Sequence, residues 1–313
     1  MTPNDVAKHL RDGRLAALPT ETVYGLAADA GNDEAVRRVF ALKGRPSTNP
    51  LIVHVADAEA ARQVTTAWPD TASRLAARFW PGPLTIVLPK AAGLAEVVTA
   101  GGDTVGVRVP NHPLTLQVLH RFHQIGGTGL AMPSANVSEH VSPTSADHVH
   151  EEFGDVVPVL DGGTCDVGIE STVVLLTAEG VEVLRPGHIS LSDLRACVGR
   201  VTVRGGSDVG VAASPGRQVR HYAPRVPARL INPQEREVAL QAEGTAVLVL
   251  DRTSPIPHRP GVFVMPDRPV TYAQMLYDVL RRAEGFEQVL IERPPETQEW
   301  AAVHDRLRRA TSA

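Results

Sequence analysis

The sequence predicts an α/β protein with a large N-terminal domain and a small C-terminal domain. Short apolar runs alternate with stretches of helical periodicity along most of the 313 residues, and this alternation is typical of a sheet covered by helices. Hydrophobic residues make up 43% of the chain and charged residues 21%, as in ordinary globular proteins. Because the late strand candidates follow one another directly, we expect a mixed rather than a purely parallel sheet.

Short apolar runs define the strands expected in the large domain. In chain order they are residues 15–18, 51–55, 84–88, 105–109, 129–132, 156–160, 172–176 and 181–184. Helices are expected where helical periodicity follows a residue that can cap the first turn. They are residues 34–42, 71–79, 113–123, 145–153 and 192–198.

A segment rich in glycine and proline separates the two predicted domains, residues 1–203 and 229–313. Residues 204–228 contain four arginines and one aspartate, and their composition is typical of a linker. Tyr222 beside basic groups suggests a lid that closes over a ligand, although a tyrosine that pins the linker to a domain is the alternative. Strands at 229–231, 246–250, 262–265 and 288–292, with helices at 233–243, 272–284 and 299–309, predict a small Rossmann-like domain.

Charge and cysteine content exclude several classes of protein. The net charge of −4 means that any nucleic-acid contact is local or weak. Cys165 and Cys197 form neither a zinc pattern nor a disulfide framework. The first 14 residues are too charged for a signal-peptide core, and no apolar run approaches the ~20 residues that span a membrane. We therefore expect a cytoplasmic protein.

Two polar segments near the start of the chain indicate a site for a phosphorylated ligand. Residues 19–26 read PTETVYGL and residues 43–51 read KGRPSTNPL, and each adjoins an expected strand. Hydroxyls at strand ends beside clustered cations are how open α/β sheets build anion and nucleotide sites. Lys43 and Arg45 are both long enough to reach one anion. The alternative is a solvated helix end, where both cations suit the helix dipole.

Arg108 is a charged residue inside an apolar strand. In DTVGVRVP, residues 103–110, the side chains of Thr104 and Arg108 share one face with Gly106, opposite three valines. A guanidinium on a central strand needs a partner. A carboxylate ligand and a structural salt bridge both remain open as that partner.

Further hydroxyls, amides and guanidiniums follow later strand candidates. Ser134 and Asn136 lie in PSAN, and Ser142 opens SPT. Ser171 in IEST and Arg185 in RPG lie on neighbouring strand candidates. Such groups read hydroxyls or phosphate oxygens, although PSAN by itself is more simply a Ser/Asn turn.

No metal site is predicted. The histidine pairs, His120 with His123 and His148 with His150, have no cysteine or carboxylate at ligand spacing. The sequence also has no P-loop, dinucleotide, hydrolase-elbow or zincin motif. A nucleotide would therefore bind by another arrangement.

Taken in order, these segments resemble the YrdC-type threonylcarbamoyl-AMP synthases in their long form, which has an additional C-terminal domain. The matching segments, spread over residues 19–224, are PTETVYGL, KGRP, NPL, WPGPLT, GVRVP, PSAN, SPT, IEST, RPG and HYAP. The C-terminal domain matches mainly by position and size. The resemblance implies a YrdC-like twisted mixed sheet and an enzyme that converts L-threonine, bicarbonate and ATP into threonylcarbamoyl-AMP and pyrophosphate. A separate transferase would use this product to modify adenosine 37 of ANN-decoding tRNAs.

The resemblance also implies roles for individual residues. The reacting triphosphate would be surrounded by Lys43, Arg45, Ser134 and Asn136. ATP would contact Arg45, Asn49, Thr104, Ser134, Ser142, Arg185 and Tyr222. L-Threonine would contact Thr22, His54, Arg108, Ser171 and the backbone of Met132. Mg²⁺ is expected to accompany ATP, with no protein ligand assigned to it.

One residue departs from the family pattern. After Asn136-Val137-Ser138 the family usually has glycine, whereas this chain has Glu139. If that position requires a positive φ, Glu139 costs about 1 kcal/mol of backbone strain. It also adds a negative charge near the expected phosphates.

An RNA-binding module is the alternative function. Related shorter domains are proposed to hold RNA on a concave basic surface without ATP turnover. The net charge of −4 counts against this alternative. Only a weak tRNA contact is then expected beside the enzyme activity.

Overall fold

The computed structural model describes residues 1–204, 221–251, 256 and 259–312, which form two compact units. The first unit consists of residues 1–138, 143–166 and 170–204. The second consists of residues 139–142, 167–169 and the described residues from 221 onwards. The contiguous division expected from the sequence did not anticipate these two short segments. Most of the predicted linker, residues 205–220, lies outside the described residues.

Several helices of the first unit begin at a residue whose side chain caps the first turn. Thr2 and Asp5 form a capping box at the start of the first helix, and the Asn32 side chain caps the second. In the first unit the helices are α1 (Pro3–Arg11), α2 (Asp33–Lys43), α3 (Ala58–Gln63), α4 (Asp70–Phe79), α5 (Pro113–Gln124), α6 (Ala146–Phe153) and α7 (Leu191–Val198). In the second unit they are α8 (Arg236–Ala239), α9 (Pro269–Ala283) and α10 (Ala301–Ala310).

The strands of the first unit form one mixed sheet, as the sequence predicted. They are β1 (Ala16–Leu18), β2 (Gly25–Asp29), β3 (Ile52–His54), β4 (Leu84–Pro89), β5 (Thr104–Arg108), β6 (Leu130–Ala131), β7 (Thr172–Thr177), β8 (Gly180–Arg185) and β9 (Val201–Val203). Their order is β1-β2-β6-β3-β5-β4-β7-β8-β9. β3 pairs with β5, β4 with β7 and β8 with β9 in parallel, and the other neighbours are antiparallel.

The two faces of this sheet are covered differently. One face packs on a core that includes Val36 of α2, Leu75 of α4 and Leu194 of α7. On the other face, α1 and α5 pack over β1, β2 and β6. β3, β5 and β4 lie beside the area that α1 and α5 cover. The residues of these strands that point to the second face build the candidate site.

Two sequence expectations for the first unit need correction. Residues 156–160 are not a strand, because only Val159 forms a bridge, with Ala17. Conversely, β2 was not expected. Its sequence, GLAAD, is rich in alanine and has no strong strand propensity, so its place in the sheet depends on pairing with β1 and β6.

The second unit has its own small parallel sheet. Its strands β10 (Ala228–Ile231), β11 (Thr245–Leu250), β12 (Val262–Met265) and β13 (Gln288–Glu292) have the order β10-β13-β11-β12, and all described pairs are parallel. This agrees with the predicted Rossmann-like domain. The helix expected at 233–243 is shorter, a 3₁₀ turn at Pro233–Glu235 followed by α8.

No helix within the described ranges is both long and apolar enough to cross a bilayer.

Candidate active site

A cavity of about 500 Å³ opens on the sheet face that carries Thr104 and Gly106. The register of the strands places Gly106 between Ile52 of β3 and Val87 of β4, and all three line the cavity. Thr85 of β4, also in the lining, pairs with Val173 of β7. The floor of the cavity is therefore mainly apolar, with hydroxyls at Thr85 and Thr104.

Gly106 keeps this floor open. A Cβ on Gly106 would lie 3.1 Å from Cγ2 of Thr85 and 3.5 Å from Cγ1 of Ile52. Because side chains on alternate residues point to the same face, Thr104, Gly106 and Arg108 form one row along β5. Arg108 lies four residues beyond Thr104, which is about 13 Å along the strand.

Arg108 ends this row in a buried ion pair. Its Nη2 lies 2.8 Å from Oε2 of Glu21, and the two side chains are only 4% and 6% exposed. Its Nε donates to the carbonyl of Gly82 at 3.2 Å, which fixes the plane of the guanidinium.

The Cys165 thiol lies close to this ion pair. Burial, together with the nearby Glu21 carboxylate, raises the pKa of the Cys165 thiol to about 12.

His54 lies beside Arg108, because the two residues pair in register at the carboxyl ends of β3 and β5. Its side chain is buried, and its Nδ1 has no hydrogen-bond partner in the described part of the chain. Burial, and after it the charge of Arg108, lowers the pKa of His54 well below its usual range. The imidazole is therefore neutral at physiological pH.

Buried hydroxyls complete this end of the site. Oγ1 of Thr22 lies 2.8 Å from Oγ1 of Thr20, which donates to the carbonyl of Val23. Oγ of Ser171 lies 2.8 Å from Oγ1 of Thr85 and accepts a hydrogen bond from Nη2 of Arg185 at 3.1 Å. Ser171 and Thr85 thus link the hydroxyls near the cavity to the guanidinium of Arg185.

Lys43 is buried and donates to backbone carbonyls of the PSAN loop. It is 1% exposed, and its Nζ donates to the backbone carbonyls of Ser134, at 2.6 Å, and of Asn136. Ser138 N donates in turn to the carbonyl of Lys43 at 2.8 Å. Burial, and after it the charge of Arg45, lowers the pKa of Lys43 well below its usual range. Lys43 therefore anchors the PSAN loop to the end of α2, and so brings together three of the residues predicted around the triphosphate.

Arg45 lies on the loop that leads from α2 to the cavity. Its Nε donates to the carbonyl of Asn49 at 3.3 Å, and its Nη2 to the carbonyl of Pro50 at 3.1 Å. Pro50 belongs to the cavity lining, and the side chains of Arg45 and Asn49 are partly exposed. The loop thus holds a cation and an amide close to the cavity lining at Pro50.

Met132 approaches the site through a position that only glycine allows. A Cβ on Gly25 would lie 2.3 Å from Cγ of Met132. Met132 N donates to the carbonyl of Ile52 at 3.0 Å, and Gly25 forms a bridge with Ser134. The glycine of PTETVYGL therefore lets the segment around Met132 and Ser134 pack closely against β2.

Ser142 and Tyr222, both predicted to contact ATP, belong to the second unit. Tyr222 is 1% exposed and has a left-handed backbone, with φ at 61°. Its ring stacks on Tyr277, with ring centres 5.6 Å apart, and the Arg306 guanidinium lies 5.3 Å from it. This packing agrees with the alternative in which the tyrosine pins the linker to a domain.

Glu139 does adopt the conformation expected of the usual glycine. Its φ is 73°, in the left-handed region that disfavours side chains. The Glu139 carbonyl accepts a hydrogen bond from Ala223 N at 2.8 Å, within the second unit. The strain expected from the sequence is therefore present.

Within the described residues, no three of His, Cys, Asp or Glu come close enough to hold a metal ion. Nδ1 of His148 accepts from the backbone N–H of Thr144 at 3.2 Å, so this histidine shapes the SPT segment.

Comparison with known proteins identifies the family. A threonylcarbamoyl-AMP synthase of Pyrococcus abyssi is 38% identical over 320 residues, which cover 97% of this chain and 92% of that protein. The chain belongs to the threonylcarbamoyl-AMP synthase family. A threonylcarbamoyl-AMP synthase of Bacillus subtilis is 44% identical over 222 residues, covering 70% of this chain and 63% of that protein.

The family assignment extends over both units. The family described as telomere recombination matches residues 8–187, and the one described as threonylcarbamoyl-AMP synthase, C-terminal domain, matches residues 189–312. A crystal structure of Pyrococcus abyssi Sua5 complexed with L-threonine superimposes with a TM-score of 0.89 at 37% identity, over 99% of this chain and 94% of that one. The resemblance noted in the sequence and the fold it implied are thereby confirmed, and the chain is an enzyme of this family.

Sequence reasoning missed two residues of this synthase site. Glu21 was read only as part of PTETVYGL, although it pairs with Arg108. Thr85 was read only as part of WPGPLT, although it lines the cavity and contacts Ser171. The available signal for Glu21 was that a guanidinium on a central strand needs a partner.

Proposed function

We propose that this chain catalyses the reaction of L-threonine, bicarbonate and ATP to threonylcarbamoyl-AMP and pyrophosphate. The observation that carries the proposal is the row of side chains along β5. The row begins at Thr104 in a cavity of about 500 Å³ and ends at the buried guanidinium of Arg108. A roomy cavity and a buried, charged cluster on one strand face suit one large and one small substrate that must react together.

ATP is assigned to the cavity end. The apolar floor at Ile52, Val87 and Val173 suits a flat base. The polar groups assigned to ribose and phosphates are Arg45, Asn49, Thr104, Ser134, Ser142, Arg185 and Tyr222. In this assignment Lys43 acts by holding the Ser134 and Asn136 carbonyls, so that the loop presents its side chains to the phosphates.

L-Threonine is assigned to the buried end. Arg108 supplies a cation for the carboxylate, and Thr22 and neutral His54 supply hydrogen-bonding groups for the hydroxyl. Ser171 and the backbone of Met132 complete the predicted contacts. The near-complete burial of these groups suits a ligand as small as an amino acid.

The reaction joins the two ends. The threonine nitrogen, as the free amine, adds to the carbon of bicarbonate with loss of water, or to dissolved carbon dioxide with loss of a proton, which gives a carbamate. A carbamate oxygen then attacks the α-phosphorus of ATP, and pyrophosphate leaves with the electrons of the broken P–O bond. This step requires in-line placement and charge neutralisation, which the protein supplies through its cations and hydroxyls.

Mg²⁺ is proposed to enter with ATP. Magnesium in such sites keeps several waters and binds mainly to substrate phosphates. When bound with ATP, the ion would supply charge neutralisation on the triphosphate.

The product is proposed to pass to a separate transferase that modifies adenosine 37 of ANN-decoding tRNAs. A mixed carboxylic–phosphoric anhydride reacts readily with water, so a consuming enzyme must follow. Direct contact with tRNA is expected to be weak, given the net charge of −4.

The test is ATP consumption with pyrophosphate release in the presence and absence of each co-substrate. Turnover should require both L-threonine and bicarbonate. Equal turnover with serine, with glycine or without an amino acid would overturn the threonine assignment. Salt-sensitive RNA binding with no turnover under any condition would favour the RNA-binding alternative instead.

Arg45→Ala tests the phosphate assignment. Removal of a charge-assisted contact to the triphosphate should reduce turnover by at least tenfold, while thermal unfolding stays unchanged. Arg37→Ala, in an exposed pair with Asp33 on α2, is the matched control and should keep full turnover. Full turnover of the Arg45 variant would remove Arg45 from the ATP site.

A further inference from the structure

Glu21 places a buried carboxylate directly against the guanidinium assigned to the substrate carboxylate. Oε2 of Glu21 lies 2.8 Å from Nη2 of Arg108, but this contact is not a well-directed hydrogen bond. Both carboxylate oxygens of Glu21 and the Nη2 of Arg108 lack a hydrogen-bond partner within the described chain. Two buried charged groups thus neutralise each other while much of their hydrogen-bonding capacity is unused.

Burying two charged groups with so few hydrogen bonds costs free energy unless another group, such as a ligand, makes the missing hydrogen bonds. A buried charged group without hydrogen bonds pays a desolvation penalty that an ion pair alone does not fully offset. The guanidinium is also held in one orientation by the bond from Arg108 Nε to Gly82. The unused lone pairs of Glu21 and the unused N–H groups of Arg108 Nη2 are therefore fixed beside each other.

The neighbours of the pair are polar and uncharged. His54 is in register with Arg108 and stays neutral, with a bare Nδ1. Thr20 and Thr22, which flank Glu21, contribute hydroxyls. The cluster therefore offers one anion, one cation and several hydroxyl-binding groups within a buried site.

An α-amino acid with a hydroxyl matches this pattern. At neutral pH it carries an ammonium and a carboxylate on the same carbon, so its recognition needs an anion and a cation side by side. We propose that Glu21 binds the ammonium group of the amino acid substrate while Arg108 binds its carboxylate. The inference rests on the proposed function, since it takes threonine as the substrate of this end of the site.

This assignment has a consequence for specificity. A ligand that has the carboxylate and the hydroxyl of threonine but lacks the ammonium leaves Glu21 buried beside an uncharged group. The analogue in which a hydroxyl replaces the amino group should therefore bind wild-type protein much more weakly than L-threonine. The discrimination should depend on the charge of Glu21.

The experiment measures dissociation constants of L-threonine and of this hydroxy-acid analogue by calorimetry, for the full-length wild type, Glu21→Gln and Glu21→Asp. Loss of a charge-assisted hydrogen bond should weaken L-threonine binding to Glu21→Gln by about 10- to 100-fold. Binding of the analogue should change by less than about threefold. Glu21→Asp keeps the charge and should recover part of the threonine affinity.

The two ligands separate recognition from structural support. Equal weakening of both ligands would show that Glu21 only supports Arg108, and would overturn the inference. If Glu21→Gln does not unfold cooperatively, the affinities of Glu21→Asp for the two ligands are compared instead. A loss of affinity for L-threonine alone supports the inference, and an equal loss for both ligands overturns it. Glu34→Gln, in an exposed pair on α2, is the control and should bind both ligands as wild type does.

The outcome for the wild type distinguishes this inference from the proposed function. A wild-type protein that binds no L-threonine overturns the proposed substrate, and the inference with it. A wild-type protein that binds L-threonine, together with variants that lose both ligands equally, leaves the proposed function intact and overturns only the role of Glu21.

Discussion

The two ends of β5 differ in free volume, burial and charge pairing. At Thr104 the strand borders a cavity of about 500 Å³ with an apolar floor and a glycine in its middle. At Arg108, about 13 Å further along the same face, the side chains are packed, charged and almost fully buried. One strand thus borders a roomy cavity at one end and a buried ion pair at the other.

A buried ion pair and an open cavity on one sheet face favour different kinds of ligand. A closed site with a paired anion and cation rejects ligands that cannot replace both partners, because each unpaired buried charge is costly. An open apolar site accepts a large ligand and orients it with few polar groups. Under the proposed function, the Arg108 end would therefore select the amino acid and the Thr104 end would hold the nucleotide.

Arg108→Gln should break the closed end, with the largest effect of the changes considered. It removes the cation assigned to the threonine carboxylate and leaves Glu21 buried without its partner. Threonine-dependent pyrophosphate release should fall more than 100-fold, and the free energy of unfolding should fall by about 3–5 kcal/mol. Steady-state kinetics and urea unfolding measure the two effects.

If the two ends of β5 are separate sites, Arg108→Gln should leave ATP binding intact. The ATP affinity of Arg108→Gln should stay within about threefold of wild type wherever the variant is folded. Arg37→Gln on the exposed surface of α2 should change neither turnover nor stability. A loss of ATP affinity as large as the loss of threonine affinity would show that the two ends are not separate sites.

Gly106→Val should damage the open end. The added side chain would press on Thr85 and Ile52 and fill part of the cavity floor. We expect the KM for ATP to rise by about tenfold, because the base loses its flat contact surface, while threonine affinity stays near that of wild type.

Ala178→Val is the matched control for Gly106→Val. It also adds an apolar, β-branched side chain, at an exposed turn between β7 and β8 that does not belong to the cavity lining. Its kinetics should equal those of wild type. An unchanged KM for ATP in Gly106→Val would remove the cavity from the ATP site.

His54 should give the smallest effect, on the pH dependence of stability. Its pKa is lowered by burial and by Arg108, so below pH 6.5 the unfolded chain binds a proton that the folded chain refuses. The free energy of unfolding should therefore fall as the pH drops from 6.5, by up to about 1.4 kcal/mol per pH unit from this group.

His54→Gln should flatten that slope, and urea unfolding between pH 7.5 and about pH 5 measures it. The exposed His123→Gln on α5 should keep the wild-type slope. If His54→Gln had the same slope as wild type, the imidazole would not be held neutral, and the closed end would be wetter than its burial indicates.

Local sequence signals predicted many elements of this molecule. Capping residues located some helices, as at Asn32 before α2, and apolar runs located β4, β5 and β7 within a few residues. They did not locate β2, because an alanine-rich segment becomes a strand only where neighbours pair with it. They also placed a strand at 156–160, where an apolar run follows the sheet edge with a single bridge.

For the candidate site, the amino-acid sequence specified which chemical groups are present and their order along the chain. PTETVYGL, KGRP and GVRVP supplied hydroxyls, cations and an arginine on a strand, and the motif series identified the family. These features are local, because a motif and a side-chain period are properties of neighbouring residues.

Which of these groups meet depends on the tertiary structure. Lys43, predicted only as a cation near the triphosphate, also anchors the Ser134 and Asn136 carbonyls, since the end of α2 lies against that loop. Arg108 received its partner from a residue 87 positions earlier in the chain, Glu21. Such pairings depend on long-range strand order and on burial, which are set by the whole sheet and not by any segment of the sequence.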